Sequence, residues 1–340
     1  VPVDKNLYFL QPTSDQAISV AKILNDHSLI LITAVLLAHE KEPQYLKRIY
    51  NNIIKVDSYE ELNKNNILVP FGASSTESLL KQSQIRLNKV AMSQNVLAVY
   101  DKPNFLKFCT EHDLPVPKTY LEESLIPDTA YPIFYKQKHE KGGGIRGIAN
   151  SSKELPQSFQ EDLIYQELID TQGTYGVGFI ANEGNLLTSY CHFEEISYPS
   201  SGGSAVVVKP VKNPRLIELT KQFLKQSNYS GWGLAEFKWC SRRQDFVFME
   251  VNAKFWASCE LALRNNANFN KYLFGVDSKE DDIEGIVFLN RALSLSLIRA
   301  LNIIRKNKNL SIVMYPMLSK VIAHKLLPKQ LIKLIKKIIH

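Results

Sequence analysis

Two apolar segments, "GWGLAEFKWC" and "DFVFMEVNA", are separated by a turn at "SRRQD" and so predict an antiparallel strand pair. On the second strand Glu250, Asn252 and Lys254 alternate with Met249, Val251 and Ala253. A strand sends alternate side chains to opposite faces, so an acid, an amide and a cation share one face. Glu236 lies fourteen residues before Glu250, and the return strand would set the two carboxylates side by side. Carboxylate and amide oxygens are the hard ligands that magnesium or manganese takes, with substrate phosphates filling its other positions. Glu236, Glu250 and Asn252 are therefore candidate metal ligands, and Lys254 a candidate catalytic cation that neutralises a transferring phosphoryl group. Solvated charges on a surface hairpin are the competing reading. The apolar Met249, Val251, Phe255 and Trp256 argue for an edge buried on one side.

Three blocks are expected along the chain. Residues 1–98 alternate strands ("NLYFL", "LILITAVLL", "NNIIKVDS", "NILVPFG") with helical stretches ("SDQAISVAKILNDH", "SSTESLLKQSQIRLNKVA"). That order predicts a parallel, Rossmann-like αβ sheet. "GASSTES" runs from a strand end into a helix and is a ligand-binding turn or an ordinary one. Residues 99–285 alternate helices with antiparallel strands, an α+β block. Residues 286–340 are expected to be helical and basic.

Between Lys102, at a helix start, and Lys136, in "YPIFYKQK", lies the Pro-interrupted connector "LPVPKTY". Lys136 shares a strand face with Phe134 and Lys138, ahead of the glycine run "EKGGGIRG". Gly142, Gly143, Gly144 and Gly147 would let backbone N–H groups approach phosphates, or form a mobile hairpin tip. The lysines are phosphate ligands or solvated surface groups. Gly142, Gly144 and Gly147 satisfy G-x-G-x-x-G, but mid-chain and without a following helix, against a dinucleotide fingerprint.

Taken together these motifs resemble the ATP-grasp ligases, of the carbamoyl-phosphate-synthetase-like and D-alanine–D-alanine-ligase-like kinds. The resemblance runs from about residue 60 to 275, most strongly from 100 to 260. It implies an ATP-grasp fold of α/β and α+β character, preceded by the αβ domain and followed by the helical tail. Asp101-Lys102 and Lys136 match the two nucleotide lysines, "KGGGIRG" the phosphate flap, and "YQELI" the adenine hinge. The backbone of Glu167 and Ile169, flanking Leu168, would then face the purine. The family's E-(13 residues)-E-x-N-P-R strand pair matches Glu236, Glu250 and Asn252. There are three departures. Thr174 stands where a ribose-binding acid is common, and Lys254 replaces a bidentate arginine. In "EEISYPSSGGSA", Glu194 and Glu195 stand where the carbamoyl-phosphate-synthetase-like branch has arginines.

The resemblance implies ATP and Mg2+ or Mn2+ as cofactors. It implies ligation of a small-molecule carboxylate to an amine through an acylphosphate. A nucleotide-binding regulatory protein with a decayed site is the alternative that the departures motivate. A homodimer is among the expected assemblies. The four cysteines form no CxxC pair, which fits a reducing compartment, and the first residues lack a secretory pattern, so a cytoplasmic location is expected. Eleven of the 41 Lys and Arg lie between Ile286 and His340, where there is no Asp or Glu. The remainder carries 30 basic and 34 acidic residues, so the net charge of +7 belongs to the tail and no nucleic-acid partner is expected. In "LLPKQLIKLIKKIIH" six apolar residues, Leu331, Ile332, Leu334, Ile335, Ile338 and Ile339, fall on a helical stripe ringed by lysines. That helix would lie on an anionic membrane face or pack on the body.

Overall fold

The computed structural model describes residues 5–63, 65–139, 144–156, 162–169, 171, 173–199 and 203–315. Gly142, Gly143 and the apolar stripe of the tail lie outside them.

The chain opens with β1 (Lys5–Leu10), α1 (Asp15–Leu24), β2 (Ile30–Leu37), β3 (Asn52–Val56) and β4 (Ile67–Pro70). All pairings are parallel, in the order β3-β2-β1-β4. α2 (Ala73–Gln82) leaves β4 through Gly72. The turn is filled by the protein itself: the Gln11 side chain lies against Gly72 and accepts a hydrogen bond from Ser75 Oγ (2.8 Å). The helix expected to continue through "QIRLNKVA" stops at Gln82. A hairpin, β5 (Ile85–Leu87) and β6 (Val90–Met92), takes its place. Ile85, Leu87, Val90 and Met92 alternate into the core, and Asn88 takes a left-handed turn conformation (φ 41°). The two-residue period wins over helix propensity there.

α3 (Lys102–Glu111) begins at an Asp101 cap, whose side chain accepts from Asn104 N–H. A four-stranded antiparallel sheet follows, made of β7 (Thr119–Tyr120), β8 (Ile133–Gln137), β9 (Arg146–Ala149) and β10 (Leu163–Glu167), ordered β7-β10-β8-β9. The central sheet then forms from β11 (Thr174–Asn182), β12 (Asn185–Tyr198), β13 (Ser204–Pro210), β14 (Gly231–Cys240) and β15 (Asp245–Asn252). β11 and β12 meet through Glu183 and Gly184, both at positive φ. α4 (Pro214–Gln226), capped by Asn213, packs on β11 and β12.

After β15 come α5 (Cys259–Asn265) and α6 (Ala267–Phe274). The block expected to be helical does hold α7 (Leu289–Leu295) and α8 (Leu297–Lys306). It also adds β16 (Ile286–Phe288) and β17 (Ser311–Val313), which extend the sheet to the order β15-β14-β11-β12-β13-β16-β17. One apolar core joins the parallel sheet to the central sheet. Phe9, Phe71 and Phe255 pack in series across it as tilted rings (centroids 4.7 and 4.9 Å), fixing the loop after β15 against the N-terminal unit. Among the described residues no helix is long and apolar enough to cross a membrane.

Candidate active site

The strand pair closes as the sequence implies: Glu236 on β14 lies opposite Glu250 on β15. One detail was not legible. The register slips between Glu236 and Phe237, so that Phe237 faces Phe248 and Met249 bulges out of the ladder. The bulge turns Phe248 into the core while Glu250 stays on the cleft face. The connector seals this edge, with Phe248 N–H donating to Pro115 O (2.6 Å). Asn252 Nδ2 donates to Glu236 Oε1 (3.0 Å) and to Glu250 Oε1 (3.1 Å).

Above these acids stand the two lysines. Lys136, 6% exposed, places Nζ 3.6 Å from Glu250 Oε2. Lys102, 7% exposed, enters from the start of α3, which docks on the end of β8 through Lys102 N–H to Lys138 O (3.3 Å). The cleft between the two antiparallel sheets thus gathers Lys102, Lys136, Glu236, Glu250, Asn252 and Lys254, whose N–H donates to Asn252 O. Burial, then the neighbouring Glu250 and Glu194 carboxylates, pushes the Glu236 carboxyl well above its usual range, against the pull of Lys136 and Lys254. Burial acts on Glu250 in the same sense, but Lys136, Lys102, the Asn252 amide and Lys254 outweigh it and hold that carboxyl low. Desolvated charges of this density are poor stabilisers of a fold and mark functional sites.

The donor set suits a hard divalent cation. Two carboxylates lie side by side on one rung of the strand pair, and half a turn of the Asn252 amide presents its oxygen beside them. Among the described residues no three His, Cys, Asp or Glu form a metal-ready group, and magnesium at such a site takes its other positions from substrate phosphates and water.

The remaining expected residues are dispersed around this centre. Gly147 sits on β9 opposite Tyr135, whose ring leaves no room for a side chain there; Gly144 precedes that strand. At the hinge, Glu167 N–H donates to Lys118 O (2.9 Å), and the Glu167 carboxylate pairs with Arg242 and Arg243. That N–H is thus engaged within the protein rather than turned to a purine. Leu168 is half-buried, and Ile169 is buried against Cys240 and Val247. Thr174 opens β11 and pairs with Glu194 across the sheet. Glu195 pairs with Lys209 instead. A cavity of about 760 Å³ opens between α3, the connector and the β14–β15 turn, and none of the expected site residues lines it.

Four contributors escaped sequence reasoning. Lys238 Nζ donates to Thr171 O (3.1 Å) and Gly173 O (3.0 Å), tying the segment after the hinge to β14. Its place two residues after Glu236 was the available signal. His192, two residues before Glu194 on the same strand, offered the same kind of signal, while Gly176 and Ser258 left none, since each becomes informative only through strand register. Gly176 lies on one rung with Glu236 and His192, and a Cβ there would come within 2.5 Å of the imidazole.

No protein-family model matches the chain. A curated relative, the D-aspartate ligase of Enterococcus faecium, is 20% identical over 282 residues, covering 73% of this chain and 66% of that protein. The chain thus spans about two thirds of that relative's length. Among solved structures, the biotin carboxylase domain of Hydrogenobacter thermophilus 2-oxoglutarate carboxylase, a complex with MgADP and bicarbonate, aligns with a TM-score of 0.60 at 13% identity. The alignment covers 81% of this chain and 70% of that one. Biotin carboxylase from Campylobacter jejuni gives 0.58 at 15% identity (80% and 68% covered). The L-amino acid ligase from Bacillus licheniformis gives 0.57 at 11% identity (82% and 72% covered). With the two-sheet cleft and the order of its motifs, these likenesses establish that the chain has the ATP-grasp fold.

Proposed function

We propose that the protein is an ATP-dependent carboxylate–amine ligase. The observation that carries this is the rung that sets Glu236 beside Glu250, with Lys136 reaching Glu250 from the facing sheet. Lys102 and Lys136 would hold the α- and β-phosphates of ATP, residues 142–147 would cover them, and residues 167–169 would take the adenine, with Thr174 towards the ribose. Glu236, Glu250 and Asn252 would hold magnesium or manganese, which when bound neutralises the phosphate oxygens. A substrate carboxylate oxygen attacks the γ-phosphorus and ADP departs. An amine nitrogen then attacks the acyl carbon and phosphate leaves with the C–O electron pair, taking up the proton that the nitrogen sheds, to give an amide. Lys254 offers charge to the transferring group. Catalysis of the first step is mostly positioning and charge neutralisation, which this cleft supplies.

The relative named as a D-aspartate ligase and the neighbour named as an L-amino acid ligase support amino-acid chemistry. We extend the reading to a cell-envelope or polysaccharide precursor, such as an amino acid joined to a uronic acid, handled in the cytoplasm at the inner membrane face. The basic, apolar-striped tail supports that location. ADP release over pooled amino acids and uronic acids, followed by mass spectrometry of condensation products, tests the ligase. Nucleotide binding without ADP release on any acid would favour the decayed-site reading that Thr174 and Lys254 motivate.

A further inference from the structure

Glu194 carries a half-buried carboxylate (12% exposed) on the cleft side of β12, close enough to Glu236 to push that acid's pKa upward. Among the described residues no Lys or Arg lies within ion-pair distance of it. Its contacts are long: Ser258 Oγ at 3.4 Å and His192 Nε2 at 3.6 Å. A carboxylate has about four acceptor sites, and these two neighbours fill them poorly. Withdrawing such a group from water without a cation is costly, so a purely structural acid here has little physical justification.

The surroundings are built rather than incidental. The His192 imidazole, 1% exposed, occupies the space that Gly176 leaves open, and its Nε2 lies 3.2 Å from Ser258 Oγ. Its Nδ1 is buried with no partner among the described residues. The loop bearing Ser258 is held by Arg291, which donates to Ala257 O (3.1 Å) and Ala205 O (2.7 Å) and pairs with Asp15 (2.9 Å). The cluster is one strand beyond Gly176 from the Glu236–Glu250 pair. It therefore flanks the place where phosphate would leave.

We propose that Glu194, with Ser258 and His192 beside it, is the subsite that receives the acceptor as a cationic primary amine. The bound ammonium gives one proton to solvent before its freed lone pair attacks the acyl carbon, and a second proton leaves with the departing phosphate. This deepens the ligase reading and rests on it. The subsite selects an ammonium nitrogen against neutral and anionic acceptors, because only a cation satisfies the Glu194 charge.

The test has two arms on the full chain. In the first, saturation-transfer NMR with n-butylammonium, and with n-butanol as a neutral match, reads binding without turnover. Wild type should prefer the cation, and Glu194→Gln should bind it at least ~10-fold more weakly. Ser258→Ala should show a smaller loss, and both variants should keep the wild-type melting temperature within a few degrees. Equal binding of the two probes by wild type, or of the cation by wild type and Glu194→Gln, overturns the subsite. In the second arm, an acid that releases ADP is presented with hydroxylamine, a neutral nucleophile, or with primary ammonium acceptors. Glu194→Gln should keep hydroxamate formation and raise KM for the ammonium acceptor ~10-fold or more. Loss of both products equally would assign Glu194 to the phosphoryl step and overturn the proposal. An enzyme that releases ADP with no acid refutes the ligase reading, while the butylammonium arm still decides the subsite.

Discussion

Glu250 is the residue on which the cleft's charges converge: Lys136, Lys102 and Lys254 all draw on it, and Asn252 donates to it. Glu250→Gln keeps the volume and removes the charge. It should leave the fold intact and lower ADP formation at least ~100-fold, as removal of an electrostatic stabiliser does. Near-wild-type turnover with magnesium would mean the metal is held elsewhere. At this scale the sequence was most legible where chemistry and period coincide. Glu236, Glu250 and Asn252 could be set face to face from alternation alone. Glu194 could be noticed as an unusual acid, with His192 two residues before it on the same strand face, but the tie of both to Ser258 could not, because residues 64 and 66 positions apart meet only after the sheet forms. Likewise nothing in "YQELI" announces that Lys118 occupies the Glu167 N–H, since that partner arrives from the connector.

Elements were legible where one period dominates. The long amphipathic α4 and the strands of the central sheet follow their patterns. "QIRLNKVA" failed because helix formers outnumber the alternating apolar residues that pack, and the Met249 bulge failed because one inserted residue leaves no compositional trace. The joint between elements gives a prediction of its own. Arg215, in the first turn of α4, binds Asp245 at the start of β15 with two hydrogen bonds (3.0 and 2.7 Å). That guanidinium foremost, helped by the Phe246 N–H and working against a burial penalty, holds the Asp245 carboxyl below its ordinary 3.8. A carboxyl with a depressed folded-state pKa lends stability above the unfolded value and loses it as pH falls through the folded one. Asp245→Asn should therefore lower the melting temperature slightly at pH 7, in keeping with about 0–1 kcal/mol for a partly exposed pair. The gap from wild type should close as the pH drops below 3.8. A gap that stays constant from pH 7 down to pH 3 would show that the pair contributes through packing alone.

For the whole molecule, the cleft lies between two sheets joined by side-chain pairs such as Lys136–Glu250, so a ligand gripping both should stabilise both. MgATP should raise the melting temperature through linkage and protect residues 142–147 from proteolysis, and NADH should do neither. A shift with NADH alone would contradict the nucleotide assignment. The described fold closes at Tyr315, which is bound from every side. Its N–H donates to Asn290 Oδ1 (3.0 Å) and its carbonyl accepts from Asn290 Nδ2 (3.2 Å). Its hydroxyl meets Ser19 (2.8 Å) and Glu260 (3.2 Å), and its ring stacks on Phe288. A chain ending near Leu318 keeps all of these and should fold and melt as the full chain does. What it loses is the lysine-ringed apolar stripe from Leu331 to Ile339. Clustered lysines near an anionic surface contribute about 1 kcal/mol each, and the stripe adds apolar burial. In sedimentation with vesicles, the full chain should bind those containing phosphatidylserine, weaken as salt screens the charges, and ignore purely zwitterionic ones. The shortened chain should stay in the supernatant with both. Equal partitioning of the two chains would assign the tail to packing on the body and remove the membrane face from the proposed function.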